Sequence, residues 1–426
     1  RNERLLSCGA QRDARRRNPI REDEMKRTLS VLFACLLPLA AQAQWNAEWP
    51  HKRTIVLDTS AQGAALRSAV NQVVVPVRLH SGNFDFPSAR PDGADLRFVA
   101  ADDKTELAYR IESFDPVNEL AVVWVAVPQL LPNLAGQTMS LYFGNAGAAA
   151  PGTASVFDER TAFVLQGGSD AGQPVDAGPH GVAVSAQGVA VEPDGIAGSA
   201  LRFDGKATLA IGGPSARIAP EGLSLSLWQR SGSAAQTASL VRITGDGSGA
   251  NTIELALVAG VPVLRTSGAF GAAEAKAAAP VTAGRWQQLA VVLGDRAILY
   301  VDGQEAAQAP AKAAPMNAQF TLGTGYAGDL DEVRVVHGAR SPDWVRAAFA
   351  AEGPDARLVR VEEPAQEAGG EVNYLAILVA ALPLDAIVVI ALLGVMALAA
   401  AWVMISRALD VTRATRANAD FIERFR

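Results

Sequence analysis

The sequence predicts a mostly β protein: two tandem β-sandwich or jelly-roll domains followed by one transmembrane α-helix. Three observations lead there. Short runs of β-branched and aromatic residues recur from residue 45 to about 350, separated by Gly, Pro, Asn and Asp. An Ala/Gly/Pro stretch at 146–153 divides those runs into two sets. Residues 386–405, AIVVIALLGVMALAAAWVMI, then carry no charge over twenty positions, and as a helix they would span about 30 Å, the thickness of a bilayer core.

At 426 residues the chain is too long for one ordinary core. A net charge of -6 excludes a nucleic-acid surface, which needs a basic face. Both cysteines, Cys8 and Cys35, precede the expected mature start, so no disulfide, thiolate site or cysteine nucleophile is expected in the mature protein. The histidines His51, His80, His180 and His337 are scattered without metal-ligand spacing.

The elements follow in order. Residues 1–24 are arginine-rich and aperiodic, and read as an upstream in-frame extension. Residues 25–43 have the parts of a secretory signal: Met25-Lys26-Arg27, the apolar run 29–40, and Ala41-Gln42-Ala43. Residues 45–150 form the first β domain, with strands expected at 53–57, 73–79, 95–99, 107–111, 120–127 and 139–143. Pro76 and Pro128 belong on an edge or at a strand end. Residues 157–350 form the second. There 223–228 alternates Leu with Ser or Trp, and Asp302-Gly303 after 297–301 marks a hairpin turn. Residues 352–373, rich in Glu, Pro and Gly, read as a linker, 374–406 as the membrane helix, and 407–426 as the start of a cytoplasmic helical region. Arg407, Arg413 and Arg416 follow the span, while Glu362, Glu363, Glu367 and Glu371 precede it. The positive-inside rule then puts the C-terminus in the cytoplasm and both β domains in the periplasm, at a bacterial inner membrane.

Trp49-Pro50-His51-Lys52-Arg53, Phe84-Asp85-Phe86, the stretch from Asp92 to Phe98 and Leu141-Tyr142-Phe143-Gly144-Asn145 resemble a bacterial envelope domain of unknown function. Gly198–Gly205, Arg285-Trp286-Gln287, Asp302-Gly303 and the stretch from Gly328 to Arg334 resemble the concanavalin A-like, laminin-G-type jelly roll. That resemblance implies a glycan or envelope-protein ligand, often with calcium. Pro383-Leu384-Asp385, the span and Asn418–Phe425 resemble the first membrane helix of the MotA/TolQ/ExbB proton-channel family. It implies an inner-membrane energy-transduction subunit with a periplasmic binding extension, a homo-oligomer with an ExbD/TolR-like partner. The alternative is a single-pass anchored lectin or adhesin without transport activity. No channel residue is carried over, because the family's polar helices are the second and third.

The candidate ligand-binding residues are Trp228 and Trp286, indoles able to stack on sugars; Trp228 lies opposite Leu223, Leu225 and Leu227 and so faces away from the core. Asp204, Asp302 and Asp329 sit in turns and are the candidate calcium ligands. For glucanase chemistry Asp329 and Asp331 would share one strand face and Glu332 the other. The third acid that chemistry needs is Val333 here, so no enzyme activity is expected.

Overall fold

A computed structural model describes residues 45–363, except 151, 153–154, 168–172, 214–216 and 246–250. The signal segment, the span at 374–406 and the region 407–426 lie outside the described residues. Among the described residues no helix is long and apolar enough to cross a membrane.

The first domain is a small sandwich. One sheet joins Arg97–Ala100, Gln137–Phe143, His51–Leu57 and Val359–Val361; the other joins Val70–His80, Leu120–Leu130 and Tyr109–Asp115. Every strand expected in this segment is present. Alternation explains why they form: Val73, Val75, Val77 and Leu79 all enter one core with Val123, Val125 and Val127 of the neighbouring strand. Pro76 lies in an edge strand, where its missing N–H costs no ladder bond.

The second domain has two larger sheets. One follows the order Ala190–Glu192, Ala200–Asp204, Ala327–His337, Leu223–Ser231, Trp286–Leu293, Ala297–Val301, Gln304–Ala309, with Thr161–Gln166 also paired to Ala327–His337. The other follows Ala273–Lys276, Val261–Ser267, Thr252–Val258, Ala238–Gly245, Met316–Thr324, Thr208–Gly212, Ala183–Gln187. Leu225, Leu227, Leu289 and Val291 from the first sheet meet Leu240, Ile243, Leu255 and Phe320 from the second in one core.

Two expectations are corrected, the first and third below, and the second is a contact the sequence did not show. First, residues 352–373 do not begin as a linker. Glu352 ends the helix Pro342–Glu352, and Val359–Val361 returns to pair with His51–Leu57 (Ile55 opposite Val361). Three strand residues are too few to show a period, so sequence alone missed them. Second, the jelly roll does not stand alone. The helix carries Trp344, Val345 and Ala347 into the core of the first domain, together with Ala290, Val292 and Tyr300 from the outer face of the jelly roll. Third, Glu332 does not point away from Asp331. The pairing of Leu223–Ser231 with Ala327–His337 shifts between Ser226 and Trp228, and Glu332 takes a left-handed backbone, φ 48°. The bulge places one extra residue on that strand. Leu330, Val333 and Val335 therefore face inward, while Asp331 and Glu332 both turn outward.

Gly323 shows how tightly the jelly roll is packed. Its φ is +78°, and a Cβ there would lie 2.1 Å from Phe203 Cδ1, itself in the core. Gly323→Ala is expected to destabilise the protein by about 1–3 kcal/mol in urea unfolding. Gly136→Ala, where a Cβ meets nothing within 4 Å, should stay within about 0.5 kcal/mol.

Candidate functional site

The five residues singled out from sequence do not form one site. Trp228 does leave the leucine core, but into a second buried layer. Its ring stacks on Phe349 of the helix at 5.7 Å and 15°, and its Nε1 donates to Glu352 Oε2 at 2.8 Å. Trp286 is half-buried at the end of its strand, with the Arg230 guanidinium 4.8 Å over its ring. Arg230 also donates to Asp329 (2.9 Å) and Asp194 (2.7 Å), and Arg202 donates to Asp329 at 2.7 Å. Asp329 is thus occupied by two guanidiniums. Asp204 accepts the Lys206 and Ala207 amides of its own turn, which hold its carboxyl below the usual range. Asp302 accepts the Gln288 amide at 3.0 Å, three strands away from Asp329 in the sheet order. The three aspartates do not converge, and among the described residues no group of three or more His, Cys, Asp or Glu side chains is placed to hold a metal.

The bulge creates a feature that alternation alone hides. Between the domains lies a seam of buried acids: Glu112 from the first sandwich, Asp331 and Glu332 from the jelly roll, and Glu352 from the helix. Asp331 Oδ2 accepts the amides of Ile196 (2.8 Å) and Ala197 (3.3 Å). Glu332 Oε1 accepts from Gln166 Nε2 at 2.8 Å, and Glu112 Oε2 accepts from Trp124 Nε1 at 2.6 Å. Burial pushes the Glu112 carboxyl up to about 7, against the Trp124 hydrogen bond. Burial, then the neighbouring negative charge, raises Asp331 and Glu332 well above the carboxylate range. Raised carboxyls often mark catalytic sites. Here Asp331 and Glu332 are at most 1% exposed, so no sugar reaches them in this arrangement.

Among the described residues two open surfaces carry polar or aromatic groups suited to a ligand. The first is the outer face of the second jelly-roll sheet. Ser185, Ala210, Thr321, Arg242, Glu254, Arg265 and Glu274 lie side by side in register across seven strands, a row about 29 Å long at the usual interstrand spacing. Arg265 meets Glu274 at 2.9 Å and Arg242 meets Glu254 at 3.6 Å. Exposed pairs of this kind add little stability, so the row is free to serve as a polar platform. The second surface is a groove of about 580 Å³ beside Trp45, Trp49, Arg97 and Tyr109, within the size range of small-ligand sites. Trp45 packs edge-on against Trp49 at 5.2 Å, and Arg97 lies 5.3 Å over the Trp49 ring. Trp45 was not singled out from sequence; a tryptophan four residues before the Trp49-Pro50 motif was the available signal.

Comparison with known proteins agrees with this architecture. Residues 203–346 match the concanavalin A-like lectin/glucanases superfamily, and residues 92–165 match a domain of unknown function, DUF2341. No curated protein matches the sequence. Among solved structures, the binding domain of Paraclostridial Mosquitocidal Protein 1 is 13% identical, with a TM-score of 0.39; the match covers 45% of this chain and 52% of that one. Domain 4 of AbnA, a GH43 extracellular arabinanase from Geobacillus stearothermophilus, in complex with arabinotriose, is 19% identical over 40% of this chain and 88% of that one, TM-score 0.33. A botulinum neurotoxin type C structure is 11% identical over 46% and 52%, TM-score 0.36. The chain thus spans about half the length of the two toxin chains.

Trp228 gives a direct test of its buried role. Trp228→Ala is expected to cost about 3–5 kcal/mol in denaturant unfolding, since it removes the ring packed on Phe349 and strands Glu352. A ligand-stacking tryptophan would instead lose binding with stability intact.

Proposed function

We propose that this chain is a non-catalytic binding protein of the bacterial envelope, and that its ligand is a polysaccharide or glycoconjugate held across the open face of the second jelly-roll sheet. One observation carries the reading. The jelly roll has two outer faces; the first domain covers the aromatic one, and the other presents a row from Ser185 to Glu274 that is polar at every position but Ala210. Hydroxyl, guanidinium and carboxylate groups at strand spacing suit the repeated donors and acceptors of an extended sugar chain. The concanavalin A-like match over 203–346 supports the same class of ligand. The capture of Asp331 by two backbone amides and of Asp329 by two arginines supports binding without hydrolysis. Calcium has no part in this reading.

The apolar run 386–405 would anchor the protein, with the β domains outside. The likeness of 374–426 to the first helix of MotA/TolQ/ExbB channels supports a second reading, in which the same binding domains precede a transport subunit. Two more hydrophobic spans downstream of Arg426 in the native gene would support it; an early stop codon would remove it.

The test is a glycan array probed with the full chain, followed by titration of any hit. Arg242→Ala combined with Thr321→Ala should weaken binding at least about tenfold, the loss of one or two hydrogen bonds to charged or hydroxyl groups, while Trp45→Ala leaves it unchanged. Loss only in Trp45→Ala would move the ligand to the groove. Silence across polysaccharides and glycoconjugates would overturn the glycan reading.

A further inference from the structure

The first domain has its own concave surface, apart from the jelly roll. Phe98, Leu141 and Phe143 enter the domain's core, so Arg97, Val99 and Tyr142 on the same strands face outward. Trp45 and Trp49 pack on that outward face, the Trp45 ring 5.5 Å from Tyr142. The groove of about 580 Å³ runs beside them and is bordered by Asn46, Arg97, Glu106 and Tyr109.

Most of its wall is fixed from beneath. Arg97 is only 9% exposed. Its Nη1 donates to Ala94 O (3.0 Å), Leu96 O (2.6 Å) and the Tyr109 hydroxyl (3.1 Å), and its Nη2 donates to Ala149 O (2.6 Å). The Tyr109 hydroxyl donates in turn to the Leu96 carbonyl, and Trp49 Nε1 donates to Asp95 O at 2.7 Å. These polar groups hold the backbone in place.

Two others hold nothing. The backbone of Glu106 is set by its bridge to Val99, and Leu107 N donates to Phe98 O at 2.8 Å. The Glu106 side chain is exposed, and among the described residues its carboxylate has no hydrogen bond or ion pair. Asn46 Oδ1 accepts the Glu48 amide at 3.0 Å, which leaves both Nδ2 donors without a partner among the described residues. Trp45 beside them is half-buried. The groove therefore combines one available indole, one available acceptor and one available donor on a rigid frame.

The charges narrow the ligand. An anion would meet the Glu106 carboxylate, while the Arg97 Nη donors are already spent on carbonyls and a hydroxyl. A cation would meet Arg97, whose guanidinium already lies 5.3 Å over the Trp49 ring. A neutral ring with a C–H face and hydroxyls at its edge meets neither obstacle. Its C–H face suits an indole, one hydroxyl can donate to Glu106, and another can accept from Asn46.

We propose that this groove is a second binding site, in the first domain, for a single neutral sugar unit. Trp45 is its platform, Glu106 its acceptor and Asn46 its donor. The site is independent of the open jelly-roll face, and either can fail without the other.

The experiment is saturation-transfer NMR on the full chain with the methyl glycosides of glucose, galactose, mannose, arabinose and N-acetylglucosamine. Choline and glucuronate serve as the cationic and anionic comparators. At least one neutral glycoside should bind. Trp45→Ala should weaken it at least about tenfold, the usual cost of truncating an anchoring tryptophan. Glu106→Gln should weaken it about fivefold, the loss of a charged acceptor at constant shape. The Glu106 carboxylate supports no other group, so this variant keeps the test sound if Trp45→Ala disturbs the fold. Arg242→Ala with Thr321→Ala should leave this binding intact, which separates the groove from the jelly-roll face. Silence from all five glycosides overturns the proposal. So does tighter binding of choline or glucuronate than of every neutral glycoside, or binding that survives both Trp45→Ala and Glu106→Gln unchanged.

Discussion

The outer face of the jelly roll's first sheet is buried, and that single constraint organises the molecule. Its inner face already carries Leu225, Leu227, Leu289 and Val291. Ala290, Val292, Tyr300 and Trp228 point the other way and are buried as well. A sheet with large apolar side chains on both sides needs cover on both sides. The second sheet covers one. The first domain's strands Val70–His80, Leu120–Leu130 and Tyr109–Asp115, with the helix Pro342–Glu352, cover the other. The jelly roll and the first sandwich are for this reason one packed body rather than beads on a linker.

That packing also explains why acids are found where water is not. The bulge opposite Leu227 turns two consecutive carboxyls into the interface, and each must be satisfied by the protein. Asp331 is satisfied by the backbone amides of Ile196 and Ala197 and so fixes that loop; Glu332 and Glu112 share Gln166. Replacing such groups with hydrophobic residues is often neutral for stability. Their directional bonds fix the register between two sheets that apolar contact alone would leave free to slide.

Much of the fold was legible in the residues. Alternating Val and Leu located the strands of the first sandwich, and Asp302-Gly303 marked a hairpin of the jelly roll. The alternation in 223–228 gave the correct facing of Trp228 relative to the leucines. What the sequence did not show was that the outward face is roofed, because a period reports only which residues share a side. The bulge at Glu332 broke the period by one residue, which no local composition signalled. The strand Val359–Val361 was too short to read, and its partner lies about three hundred positions earlier. The open polar row is legible only in register: Thr321, Arg242 and Glu254 are unremarkable until pairing sets them side by side.

The return of Val359–Val361 to the edge of His51–Leu57 has a mechanical meaning. Glu362 N donates to Thr54 O, so the chain leaves from the same sheet in which it began. In covalent terms the jelly roll is inserted within the first sandwich. A pull on a C-terminal tether would be borne by that short edge strand and its neighbour, with the jelly roll lying off the load path. A pull on the chain after Glu363 would then leave unstrained the surface proposed to hold its ligand, and the first bonds to yield would be the three-residue ladder at Ile55, Val56 and Leu57.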